Sequence, residues 1–99
     1  EIAPEGDVAM SLPLVCAGLI RLGEAGRARD LARAGYELGA GRFRRMLAAA
    51  ALAEALVALG DDPDEAATLF AEAIALAETL GARADLVAAL LGAAELEAR

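Results

Sequence analysis

The sequence predicts an all-α chain of about five helices joined into consecutive antiparallel hairpins, and three observations predict it. Apolar residues make up 59% of the 99 positions but aromatics only 3%, so the core must be built of Ala, Leu and Val, whose small size lets helices approach closely. No alternating Val/Ile/Thr-rich run exists from which a sheet could be made. The dipeptide Leu-Gly recurs as Leu22-Gly23 and Leu59-Gly60, 37 residues apart, each time after an apolar stretch.

The first helix is expected to begin at Ser11, whose hydroxyl suits an N-cap and places Pro13 in the first turn, where a missing N–H costs little. Residues 1–10 are then a linker or an extra turn. A helix from Asp7, kinked at Pro13, is the alternative. Gly23 fits a C-terminal cap. After the polar turn Glu24-Ala25-Gly26, a second helix from Arg27 to Leu38, closed by Gly39 and Gly41, completes a first unit over 11–41.

A third helix runs to its cap at Gly60, and the turn beyond it is the best specified in the chain. Asp62 suits the N-cap, Pro63 the first helical position, and Glu65 stands three residues past the cap as in a capping box. The fourth helix extends from Asp64 to Leu80 and closes at Gly81, ending a second unit over 42–81. Short connections favour antiparallel neighbours. A fifth helix, Arg83 to Glu97, opens a third unit over 82–99 and is expected to lack a partner within the chain. Its Leu86, Leu90 and Leu91 are the candidate self-association surface.

Large and small residues recur at matching positions of the two units. Leu12, Val15, Cys16 and Leu19 precede Gly23, and Ala28, Ala32 and Gly35 follow it; Leu52, Ala53 and Leu56 precede Gly60, and Ala66, Phe70 and Ala73 follow. This pattern resembles the tetratricopeptide repeat over nearly the whole chain from Val8. Departures are Ala32 and Ala49, where that family prefers larger residues, and units longer than its period of about 34 residues. The resemblance implies a right-handed α-solenoid whose inner groove is lined by the first helix of each hairpin. Here that means Pro13, Ala17, Ile20 and Arg21, then Ala50, Glu54, Val57 and Ala58.

Ala17, Ile20, Arg21, Ala50, Glu54 and Val57 are therefore the candidate partner-binding residues. The basic and Asn side chains with which some co-chaperone repeats clamp a terminal carboxylate are absent at the matching positions. A hydrophobic or amphipathic segment of another protein or a peptide is the expected ligand. Longer, alanine-rich units of this kind resemble those of large bacterial ATP-dependent transcriptional activators and related signalling regulators. The expected function is an interaction or scaffold module within such a protein; the alternative is an autonomous helical bundle serving homodimerisation.

Nothing in the sequence assembles a catalytic, cofactor or metal site. There is no His, Cys16 occupies a small-residue position on a buried face, and Ser11 has a structural use. Asp61, Asp62, Asp64 and Glu65 crowd a helix N-terminus, where the dipole favours them, and Pro63 breaks the spacing of a calcium loop. Without strands, no phosphate loop or dinucleotide fold is available. The uncharged run Val8 to Ile20 is too short for a bilayer span and holds Pro13, so no membrane association is expected.

A single cysteine fits a reducing compartment, taken as the cytoplasm. Glu1 is no initiator and no leader pattern follows it, so a piece of a longer protein is expected. The absence of Lys and His alongside abundant Ala, Arg and Gly fits a GC-rich bacterial genome.

Charge is divided along the chain. Residues 21–45 hold seven Arg against three acids, whereas residues 46–82 hold seven acids and no Arg. With a net charge of −7 and no aromatic ladder beside the arginines, nucleic-acid binding is not expected. Ion pairing between the units is one expectation; salt-sensitive pairing of the basic unit with the acidic unit of a second copy is the other.

Overall fold

The structure, a computed structural model, describes residues 4–38 and 41–99, with side chains from Ser11 onward. Among these residues it is all-helical: α1 (Pro4–Arg21), α2 (Ala25–Leu38), α3 (Arg42–Leu59), α4 (Pro63–Leu80) and α5 (Arg83–Ala98). Each helix packs on the next, and α3 also packs on α1 and α5, which do not reach one another over the described residues. Helix α3 is thus the centre of the array and buries ten residues between Met46 and Val57. By contrast α2 buries only Ala28 and Ala32, and α5 only Ala89 and Gly92.

Small residues allow this density. The main core alternates alanines (Ala28, Ala32, Ala49, Ala53, Ala66, Ala73) with the larger Leu12, Leu52, Leu56 and Phe70. Apart from the exposed Val15 and the half-buried Leu19 and Gly35, the residues that repeat at matching positions of the two units are buried. Gly35 packs against Leu12 and Ala48, so α2 comes close to both α1 and α3.

The caps follow the sequence at three turns: Gly23, at φ 82°, closes α1, with the Glu24 N–H donating to Leu19 O at 2.8 Å. Gly60, at φ 68°, turns the chain out of α3, and the Asp61 N–H donates to Leu56 O at 3.0 Å, a bond only a left-handed residue permits here. Gly81 repeats the arrangement at the end of α4, with Ala82 N–H to Ala77 O at 2.9 Å. Asp62 caps α4 as expected, its carboxylate accepting from the Glu65 N–H at 3.0 Å, with Pro63 first in the helix. The reciprocal half of the capping box is not made, because the Glu65 carboxylate instead takes a forked pair of bonds from Arg33 of α2, at 3.0 and 3.2 Å.

Three expectations are corrected. Helix α1 begins at Pro4, so Ser11 lies within it rather than capping it, and Pro13 sits in its interior. Pro4 suits a first helical position, and Pro13, which removes one backbone bond from the interior of α1, lines a groove. Gly39 falls outside the described residues, and Gly41 stands at the start of α3, not the end of α2. Finally, α5 has partners within the chain: it packs on α4 and touches α3. Contact is closest at Gly92, where a Cβ would lie 2.5 Å from Phe70 Cε1 and 2.8 Å from Glu54 Oε2.

The division of charge joins the first hairpin to the second. Besides Arg33–Glu65, Glu72 of α4 accepts from the Tyr36 hydroxyl at 2.6 Å and from Arg45 Nε. Arg45 also donates to the Tyr36 oxygen at 2.8 Å and lies 4.3 Å from that ring's centre. Loss of hydration would raise the Glu72 carboxyl, but the bonds from Tyr36 and Arg45 and the Arg45 charge outweigh it and hold it below the ordinary value. Arg27 pairs with Glu24 and Arg29 with Asp30, so four arginines of the basic stretch face acids within the chain.

Candidate functional site

A groove of about 470 Å³ has α3 as its floor and α1 and α5 as its walls. It exists because α1 and α5 both pack on α3 without meeting, and because the residues facing the gap are short. Ala17, Ala50, Ala51 and Ala88 leave space that leucines would fill, while Pro13, Ile20, Met46 and Leu47 supply larger apolar surface. The volume lies within the range typical of ligand pockets, and the lining is mostly apolar, with few polar groups.

Those groups are Arg21, Glu54 and Asp85. Arg21 ends α1 and Asp85 lies in the first turn of α5. Glu54 stands on α3 against Gly92 of α5. Among the described residues no cation lies within ion-pairing distance of its carboxylate. Burial, and then the nearby Glu95, push the Glu54 carboxyl above its ordinary value. Glu54 is nonetheless exposed to solvent on one side.

Five of the six groove residues expected from the sequence, Ala17, Ile20, Arg21, Ala50 and Glu54, come together here, as does Pro13. Val57 does not: it is 8% exposed and belongs to the main core. The end of α5 closes over α3 at that level, where Arg99 Nη1 donates to Val57 O at 3.5 Å. The expected self-association surface also divides. Leu86 packs on the cluster of Met46, Leu47 and Ala77, whereas Leu90 and Leu91 are exposed, Leu91 to 67%.

Met46, Leu47 and Ala51 of α3 and Asp85 and Ala88 of α5 also line the groove and were not anticipated. Carrying the 37-residue spacing of the two complete units into the third gives Val87, Leu91, Ala94 and Glu95 instead, so the repeat held no signal for the α5 pair. Cys16 reaches the base of the groove but is 1% exposed, its thiol donating to Ala28 O at 3.6 Å, and burial raises its pKa. Such a thiol is a poor nucleophile.

Among the described residues, no group of three or more His, Cys, Asp or Glu is placed to hold a metal ion, and no helix is long and apolar enough to cross a membrane. No known family, curated protein or solved structure matches the chain. The class that fold and site define is therefore a compact all-α chain carrying an apolar groove with charged groups along it.

Proposed function

We propose that the chain is a protein–protein interaction module whose groove between α1, α3 and α5 takes an apolar or amphipathic segment of a partner. The observation that carries this is the groove itself, a gap between two helices that pack on a third, lined by short apolar side chains. Helix-in-groove recognition needs such a surface, because an inserted helix gains affinity from its apolar face. The tetratricopeptide-like arrangement belongs to the same reading: the helices lining the groove are the first of each hairpin, as that resemblance implies. A place within a larger bacterial transcriptional or signalling regulator follows from the resemblance alone.

The test is to select helical peptides against the chain from a displayed library and map the strongest by amide exchange. Protection should concentrate on α1, α3 and α5, and Ala50→Phe, which fills the groove without adding charge, should abolish binding while helix content stays unchanged. Peptides that protect another surface, or bind Ala50→Phe as well as the parent chain, overturn the reading.

A second reading, homodimerisation, is favoured by the exposed Val87, Leu90 and Leu91 on α5. Light scattering at micromolar concentration tests it, a monomer being the result that rejects it.

A further inference from the structure

We infer that the groove's occupant is a basic amphipathic helix, a peptide segment whose apolar face lies on Ala17, Ala50 and Ala88 and whose Lys or Arg neutralises Glu54. This rests on the groove being the binding surface and adds what chooses the ligand.

Glu54 carries the argument. It is the charged group on the groove floor, among residues otherwise apolar, and it has no cationic partner among the described residues. The charged groups nearby are Glu95 and Asp85 on α5, Arg21 on α1 and the C-terminal Arg99, which bonds Val57 O one turn along α3 and pairs with Glu95; α4 contributes only Ala73 to the lining. Glu95 repels it, and neither Arg21 nor Arg99 lies within ion-pairing reach of it. Elsewhere the chain answers its interhelical carboxylates, Glu65 with Arg33 and Glu72 with Arg45. A carboxylate set against α5 at Gly92, open to solvent on its groove side and without a counter-ion, is placed to take a charge-assisted bond from a cation delivered on a ligand.

The wider field agrees. Residues 46–99 hold ten acids and two Arg, so a basic segment is drawn toward this half of the molecule and an acidic one repelled. Asp85, at the far end of α5 from Glu95, supplies a second place for a cation. Because apolar area and charge are read together, a lone cation or an uncharged apolar helix satisfies only part of the surface.

Three synthetic helices of roughly 14 residues, about 21 Å long, test this. They share one Ala/Leu face and differ at one central position beside it, which is Lys, Gln or Glu. Binding to the intact chain is measured by fluorescence anisotropy. The Lys peptide should bind about tenfold more tightly than the Glu peptide. Glu54→Gln should bring the Lys peptide to the affinity of the Gln peptide, with the melting temperature of the chain no lower than the parent's, and raised salt should shrink the preference.

Equal binding of all three peptides, each still lost in Ala50→Phe, overturns the charge inference while leaving the groove reading intact. Preference for the Glu peptide overturns it too, in favour of the Arg21 end. Binding that ignores Ala50→Phe overturns both. A chain that sediments as a dimer and excludes every peptide makes a second copy the occupant and overturns the inference.

Discussion

Helices α3 and α5 are built from nearly the same residues, mostly Ala and Leu with a few charges, yet α3 buries ten side chains and α5 buries two residues. Their difference is one of neighbours. Helix α3 is covered by α1, α2, α4 and α5, whereas α5 lies on α4 and touches only α3 besides. An alanine or leucine in this chain is core or surface according to its place in the array, and apolar content does not distinguish the two.

The largest effect that can break this comparison comes from one substitution made on both helices. Leu52→Ala on α3, where the side chain is wholly buried, should cost about 2–5 kcal/mol in denaturant unfolding. Leu91→Ala on α5 should cost less than about 0.5 kcal/mol. Similar costs would mean that α5 is covered in solution as α3 is.

Glycines give the next contrast. Gly92→Ala places a methyl group against the Phe70 ring, which is 1% exposed and cannot withdraw, so a loss of about 1–2 kcal/mol is expected after the gain in helix propensity. Gly18→Ala meets nothing within 4 Å and should stabilise by about 0.5–1 kcal/mol. Thermal melts of the two variants moving in the same direction would contradict the close approach of α5 to Phe70.

Between the hairpins the effects shrink. Glu65→Gln weakens the forked pair with Arg33 but keeps the Asp62 cap, so the loss should be at most about 1 kcal/mol and smaller still in high salt.

The smallest effect is in pH dependence, where two glutamates pull in opposite senses. Glu54 titrates above the ordinary value of 4.5 in the folded chain, so its contribution to stability is fully present below that value and is lost as pH rises through its folded pKa. Glu72 titrates below 4.5, so its contribution is present above that value and is lost as pH falls through its folded pKa. The melting temperature should therefore rise slightly on mild acidification and then fall. Glu54→Gln should remove the rise, and Glu72→Gln should soften the fall. A melting temperature that is indifferent to Glu54→Gln across this range would contradict the partly dehydrated carboxylate.

Much of this was legible in local sequence. The caps at Gly60, Asp62 and Gly81 depend on residues within one turn of each other, and all three form as read. The small-large pattern located the core because helical spacing places Ala66, Phe70 and Ala73 on one face. Five residues that line the groove had been expected there from the resemblance, which assigns the inner surface to the first helix of each hairpin. What was missed is long-range. Glu65 left its capping box for an arginine 32 residues away, Val57 was sealed by the end of α5, and Pro13 was admitted to a helix interior where it faces a groove.

Sequence alone determined the all-α class, the five helices, most of their ends and which residues could pack, because these follow from propensity, capping and period within a few residues. Only the tertiary structure decided that α3 is the centre, that α1 and α5 stand apart across it, and that Glu54 is left between them without a counter-charge. Those outcomes depend on how close each helix can approach its neighbours, and closeness of approach is a property of two surfaces at once.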